Sequence, residues 1–145
     1  MKLHTDSNPG LNTVTAYGPD FIEINRQRYH SAVAFGPHGA VQSWSLGSVA
    51  DLTLAQLHDL AGLATATPDP FAALDDAPPA PGPNQAEVLL VGTGPRQHFL
   101  PASLIKPLLR AGVGVESMDT QAAARTYNIL MAEGRKVVVV LLPTA

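Results

Sequence analysis

Val88-Leu89-Leu90-Val91-Gly92-Thr93-Gly94-Pro95, with the chain that follows it to Pro143, decides the fold. Val88 to Val91 is a short unbroken apolar run closed at once by a glycine turn, which fits a strand covered on both faces, as in a parallel sheet. After the extended Gln97 to Leu100, the segment Pro101 to Arg110 places Leu104, Ile105, Leu108 and Leu109 at spacings of three and four, one helical stripe. Gly112 supplies the stop. Pro107 either starts the regular part of this helix or bends it, since a proline inside a helix removes a hydrogen bond. Val113 to Met118 reads as a second strand, and Asp119-Thr120 offers an N-cap for a helix running to about Glu133. On that helix Ala123, Ala124, Tyr127, Leu130 and Met131 share a face, flanked by a polar strip of Gln121, Arg125 and Asn128. Gly134 ends it, and Lys136 to Leu142, with four consecutive valines, makes a third buried strand. Two strand-helix-strand units in succession need crossover connections, so the three strands are expected to be parallel.

Outward from this core, the N-terminal half changes character. Thr13 to Tyr17, Phe21 to Ile24 and Arg28 to Ser31 read as strands, the last two joined by a hairpin turn at Asn25-Arg26-Gln27. Ala32 to Phe35 and Val41 to Leu46 continue the antiparallel meander across Gly36-Pro37-His38-Gly39. A helix follows, capped by Thr53 or Asp51, with Leu54, Leu57, Leu60 and Ala61 as its buried stripe. The expected class is therefore α/β: a single domain over residues 12–143, with a three-stranded parallel β-α-β-α-β core at 88–143 and an antiparallel β-meander as a second layer. Residues 1–11 are expected as a flexible tail. Six of the 13 prolines fall between Pro68 and Pro83, so residues 65–85 are expected as a surface insert without a continuous helix or central strand.

With 145 residues and 46% hydrophobic side chains, the chain is long enough for one domain with a substantial core. No apolar run approaches the ~18 residues of a membrane helix, and the first residues show no charged-then-apolar pattern, so a cytoplasmic protein not integral to a membrane is expected. The absence of cysteine removes disulfides, thiolate catalysis and cysteine-ligated metals. Net charge is −3, which provides no overall basic field for nucleic acid, and no nucleic-acid partner is expected. The charge is uneven: residues 88–145 hold six Lys or Arg against three acids, and residues 1–87 hold three against nine.

Gly92-Thr93-Gly94, Gly112-Val113-Gly114-Val115-Glu116, Asp119-Thr120, Ala123, Thr126-Tyr127-Asn128-Ile129-Leu130 and Glu133-Gly134-Arg135, in that order and spacing, resemble a small conserved-domain family of unknown biochemical activity. That family includes the mitochondrial complex I assembly factor 3 and the adipogenesis-associated domain protein of animals, with short bacterial members. The resemblance runs strongly over residues 88–143 and more loosely over 12–60. It implies one α/β domain with N-terminal antiparallel strands against a parallel part, and it carries over no catalytic residue. The proline-rich insert is longer than the family pattern, which marks the surface near it as particular to this chain.

Ligands of open parallel sheets lie beyond the carboxyl ends of the strands. Here that edge is Gly92, Thr93 and Gly94 with Glu116, Asp119 and Thr120, and Arg96, Arg125 and Asn128 are within reach of it in the chain order. These nine are the candidate ligand-binding residues. Each has a structural reading beside the functional one. Gly92-Thr93-Gly94 lacks the third glycine of a dinucleotide fingerprint and the lysine of a P-loop, and glycines at a strand end also serve close packing. Asp119-Thr120 can cap a helix or help its free amides hold an anion, and Glu116 can act as an acid or base or pair with Arg135, Arg125 or Lys136. Tyr127 is expected in the core with its hydroxyl bonded, and Asn128 can bridge backbone groups. His4, His30, His38, His58 and His98 are scattered, so no metal and no cofactor is expected. Trp44 is expected in the core or, if exposed, as an aromatic anchor for a partner. The favoured reading is an assembly-factor-like, non-enzymatic accessory domain whose partner is another protein. The alternative is a binder of a small anion or carboxylate, or a simple enzyme, with its pocket at the strand ends. Self-association as a homodimer is left open.

Overall fold

Three apolar runs supply the centre of the molecule. In the computed structural model, which describes residues 10–63 and 84–144, the strands β1 (Val14–Gly18), β2 (Phe21–Ile24), β3 (Gln27–Tyr29), β4 (Ala32–Phe35) and β5 (Gln42–Trp44) come first. A 3-10 turn (Val49–Asp51) and helix α1 (Leu54–Leu60) follow. The C-terminal part is β6 (Val88–Gly92), α2 (Ala102–Arg110), β7 (Gly114–Met118), α3 (Thr120–Ala132) and β8 (Val137–Leu141). Residues 1–9 of the expected tail and most of the proline-rich insert lie outside the described residues, while Leu11, the last residue of that tail, packs half-buried against the core. Among the described residues, no helix is long and apolar enough to cross a membrane.

The parallel core is present as read: β6 pairs in parallel with β7 on one side and with β8 on the other. The antiparallel strands divide between two sheets. β1, β2 and β3 form a small sheet of their own, while β4 pairs antiparallel with β8 and carries β5 outside it, giving a five-stranded order β5-β4-β8-β6-β7. Because β7 and β8 flank β6 on opposite sides, crossovers of one hand place α2 and α3 on opposite faces. Leu89, Val91 and Val140 accordingly pack with Leu104, Leu108 and Leu57 under α1 and α2. Leu90, Val139 and Leu141 pack with Ala123, Ala124 and Tyr127 of α3 and with Val14, Ile22 and Ile24 of the small sheet. The result is three layers, with the five-stranded sheet in the middle and each fully buried Leu or Val in it contributing roughly 1.5–3 kcal/mol.

Local chemistry fixes the ends of these elements. The β2-β3 turn is the two residues Asn25 and Arg26, both at positive φ (53° and 67°), the backbone that a tight hairpin requires. Thr53 caps α1 reciprocally: its hydroxyl accepts from the Gln56 amide, and its own amide donates to Gln56 Oε1. Asp51 belongs instead to the preceding 3-10 turn, where its carboxylate accepts from the amides of Gly47 and Ser48. Pro107 lies inside α2. Trp44, expected in the core, is only half-buried on the edge strand β5, and its indole donates to Gln42 Oε1 at 3.0 Å.

Candidate functional site

At the carboxyl ends of the parallel strands the chain closes on itself. Gly92 ends β6 so near α3 that a Cβ there would lie 2.9 Å from Thr120 Cα and 3.0 Å from Leu141 Cδ2, contacts only a glycine avoids. Gly94 follows at φ +101°, and its amide donates to Thr120 Oγ1 at 2.8 Å. The Thr120 hydroxyl donates in turn to the Leu142 carbonyl at 2.7 Å, and the Thr120 amide donates to the Gly94 carbonyl at 2.9 Å. One fully buried threonine thus ties the turn after β6, the start of α3 and the chain leaving β8. Thr93 is buried beside it, donating to the Arg96 carbonyl and accepting from the His98 amide.

The remaining candidates separate. Asp119 caps α3, its Oδ1 accepting from the Ala122 amide at 2.9 Å while its carbonyl accepts from Ala123. Arg125 is exposed and donates to the Tyr17 hydroxyl at 2.8 Å. Asn128 reaches the small sheet: its Oδ1 accepts from the Val14 amide at 3.0 Å and its Nδ2 donates to the Val14 carbonyl at 2.8 Å. Beside it, Tyr127 donates to the Asn12 carbonyl at 2.7 Å and meets Phe35 edge-on at 4.9 Å between ring centres. Burial pushes the Tyr127 phenol well above its ordinary range, because the phenolate would lose its water. Glu116 is exposed on the edge strand β7 and makes no ion pair among the described residues. Arg135, one of its expected partners, pairs with Glu87 instead, at 3.2 Å. Arg96 is exposed in the turn after β6.

Only Thr93 and Gly94 of the nine candidates line the open groove found at this end of the sheet, a space of about 710 Å³. Its other walls are mainly apolar: Val49, Ala50, Pro95, Phe99, Pro101, Leu142 and Pro143, with Ser48 and His98 as polar members. Phe99 is 85% exposed, the barest large apolar side chain among the described residues. Leu100 beside it is buried, so the chain covers one of these two neighbours and leaves the other in water. Sequence reading passed over it because apolar pattern alone does not say which of the two faces in. A second groove, about 630 Å³, lies at the opposite ends of the strands and is lined in part by Phe35, His38, Met131, Arg135 and Lys136. Among the described residues, no group of three or more His, Asp or Glu stands close enough to hold a metal ion.

A family described as "Protein of unknown function (DUF498/DUF598)" matches residues 14–142, the whole of the two-sheet unit. The chain belongs to this family. Among its relatives is zebrafish (Danio rerio) NADH dehydrogenase [ubiquinone] 1 alpha subcomplex assembly factor 3, 29% identical over 130 residues that make up 90% of this chain and 63% of the zebrafish protein. The human protein of the same name is 29% identical over 90% of this chain and 60% of its own length. The chain therefore spans a little under two thirds of the length of these relatives. A solution structure of a Bordetella pertussis protein, described as a Mth938-like domain, is 58% identical over the full chain and 94% of that protein, with a TM-score of 0.75. The family resemblance and the α/β architecture read from the sequence both stand on these matches.

Proposed function

We propose that this chain is a non-enzymatic accessory domain that binds another protein, in the manner its relatives' naming as assembly factors suggests, through the groove beyond β6 and β8 with Phe99 as anchor. The observation that carries this reading is the 85% exposure of Phe99 on the rim of an apolar groove. A large aromatic left in water beside prolines and aliphatic side chains is the kind of group that dominates a binding interface once covered. The polar residues first suspected at the strand ends support the same reading from the other side. Thr93, Gly94, Asp119, Thr120 and Asn128 already hold hydrogen-bond partners within the chain.

The test is co-purification of the tagged full chain from cells that express it, alongside Phe99→Ala. An aromatic anchor is worth about 2 kcal/mol or more, so retention of a genuine partner should fall about thirtyfold in the variant while the thermal midpoint holds. Partner retention independent of Phe99 would refute this site. A thermal-shift screen against nucleotides and small acids separates the alternative: a stabilisation that Arg125→Ala abolishes would assign a small anion to the surface beside Arg125 and Tyr17 instead.

A further inference from the structure

We infer that the partner presents an acidic segment with apolar anchors, seated along the outward face of α2 from Phe99 to Leu109. This rests on the protein-binding reading above and gives that partner its chemistry. Residues 88–115 contain Arg96, Lys106 and Arg110 and no acid at all. The chain carries −3 in total, so the rest of it carries −3 − (+3) = −6. The three cations are all exposed, and none has a carboxylate at ion-pair distance among the described residues.

Helical geometry gathers two of them, Lys106 and Arg110, while Arg96 lies in the turn after β6. Leu104 and Leu108 are the buried side of α2. Ala102, Lys106 and Leu109, four and then three residues apart, make the opposite stripe, with Arg110 beside it. Leu109 is 54% exposed near the C-terminal end of this stripe, and the exposed Phe99 precedes the helix by three residues. The nine residues of α2 rise about 13 Å. The face therefore offers an apolar contact at Leu109 with Lys106 and Arg110 beside it. An acidic amphipathic segment complements both features. A second copy packed face to face would set these cations against each other. An anionic bilayer is the weaker fit, because stable electrostatic attachment draws on larger basic clusters than three side chains.

Panning a displayed library of random peptides against the full chain at low salt, followed by anisotropy with the strongest binder, tests this. Enriched peptides should be net acidic with apolar residues three or four apart. Their affinity should fall about tenfold for Lys106→Glu combined with Arg110→Glu, fall also for Phe99→Ala, and weaken with added salt. All these positions are exposed, and unchanged thermal midpoints would confirm intact folding. Neutral or basic binders that need Phe99 but ignore the charge reversal would overturn the acidic partner and leave the groove reading standing. If no enriched peptide depends on Phe99, the groove reading falls as well. Binding to phosphatidylserine-containing vesicles that both variants abolish would assign this face to a membrane and overturn the inference.

Discussion

Helix α3 and its cap direct Asp119, Thr120, Tyr127 and Asn128 onto main-chain groups, whereas α2 turns Lys106, Leu109 and Arg110 out to water. Asp119, Thr120, Tyr127 and Asn128 each bond to main-chain groups elsewhere in the fold or at the helix start. Among the described residues, Lys106, Leu109 and Arg110 touch no such internal partner. The residues that carry the family resemblance lie mostly on the α3 side, and holding three layers together explains them. A surface for something else is to be sought where side chains lack an internal duty, and that is the α2 side.

The largest expected effect is on the knitted side. Thr120→Val keeps the shape and leaves the Gly94 amide and the Leu142 carbonyl without a partner in a buried site. Two such groups cost about 3 kcal/mol, which should lower the thermal midpoint by roughly 10 °C. A midpoint within a degree or two of the parent would break the contrast between the helices. Asn128→Ala comes next, at about 2 kcal/mol for two lost bonds to Val14. Its signature is regional: hydrogen exchange should quicken in β1 to β3 before it does in β6 and β8. Uniform exchange across both sheets would mean the small sheet is held by other contacts.

Tyr127→Phe is the smallest of the three, about 1 kcal/mol for the bond to Asn12, and it carries a pH dependence. The folded phenol holds its proton more tightly than the unfolded one. The unfolded chain begins to release that proton near the ordinary tyrosine value of about 10, so this contribution is complete below that pH and declines above it. Alkaline titration of stability should therefore be shallower in Tyr127→Phe than in the parent. Parallel curves would show that the hydroxyl is not sequestered as described.

Much of this architecture was legible in the residues, because unbroken apolar runs and stop glycines are local signals. Val88 to Val91, Val137 to Val140, Gly112 and Gly134 marked the parallel core without any long-range information. The division of the meander was less plain, yet Ala32-Val33-Ala34-Phe35 is itself an unbroken apolar run and all four residues are buried. That is the signature of a strand covered twice, which places β4 in the central sheet and not in an outer one. The strand-end cluster was legible as a cluster but not as a closed one. The Thr120 hydroxyl bonds to Gly94 and Leu142, residues 26 and 22 positions away, and no spacing in the chain announces such partners. Phe99 escaped notice for a related reason, since its exposure follows from which neighbour the fold chose to bury.

The carboxamide of Asn128 has the donor and acceptor of a peptide group, and it lies against Val14 as a peptide in an adjoining strand would. A single side chain of α3 therefore occupies, beside β1, the place that a further strand would take. Strand borders left open invite one chain to zip onto the next. On this reading Asn128 serves as a plug against aggregation as much as a brace, and its loss would be felt in a concentrated solution before it was felt in a dilute one.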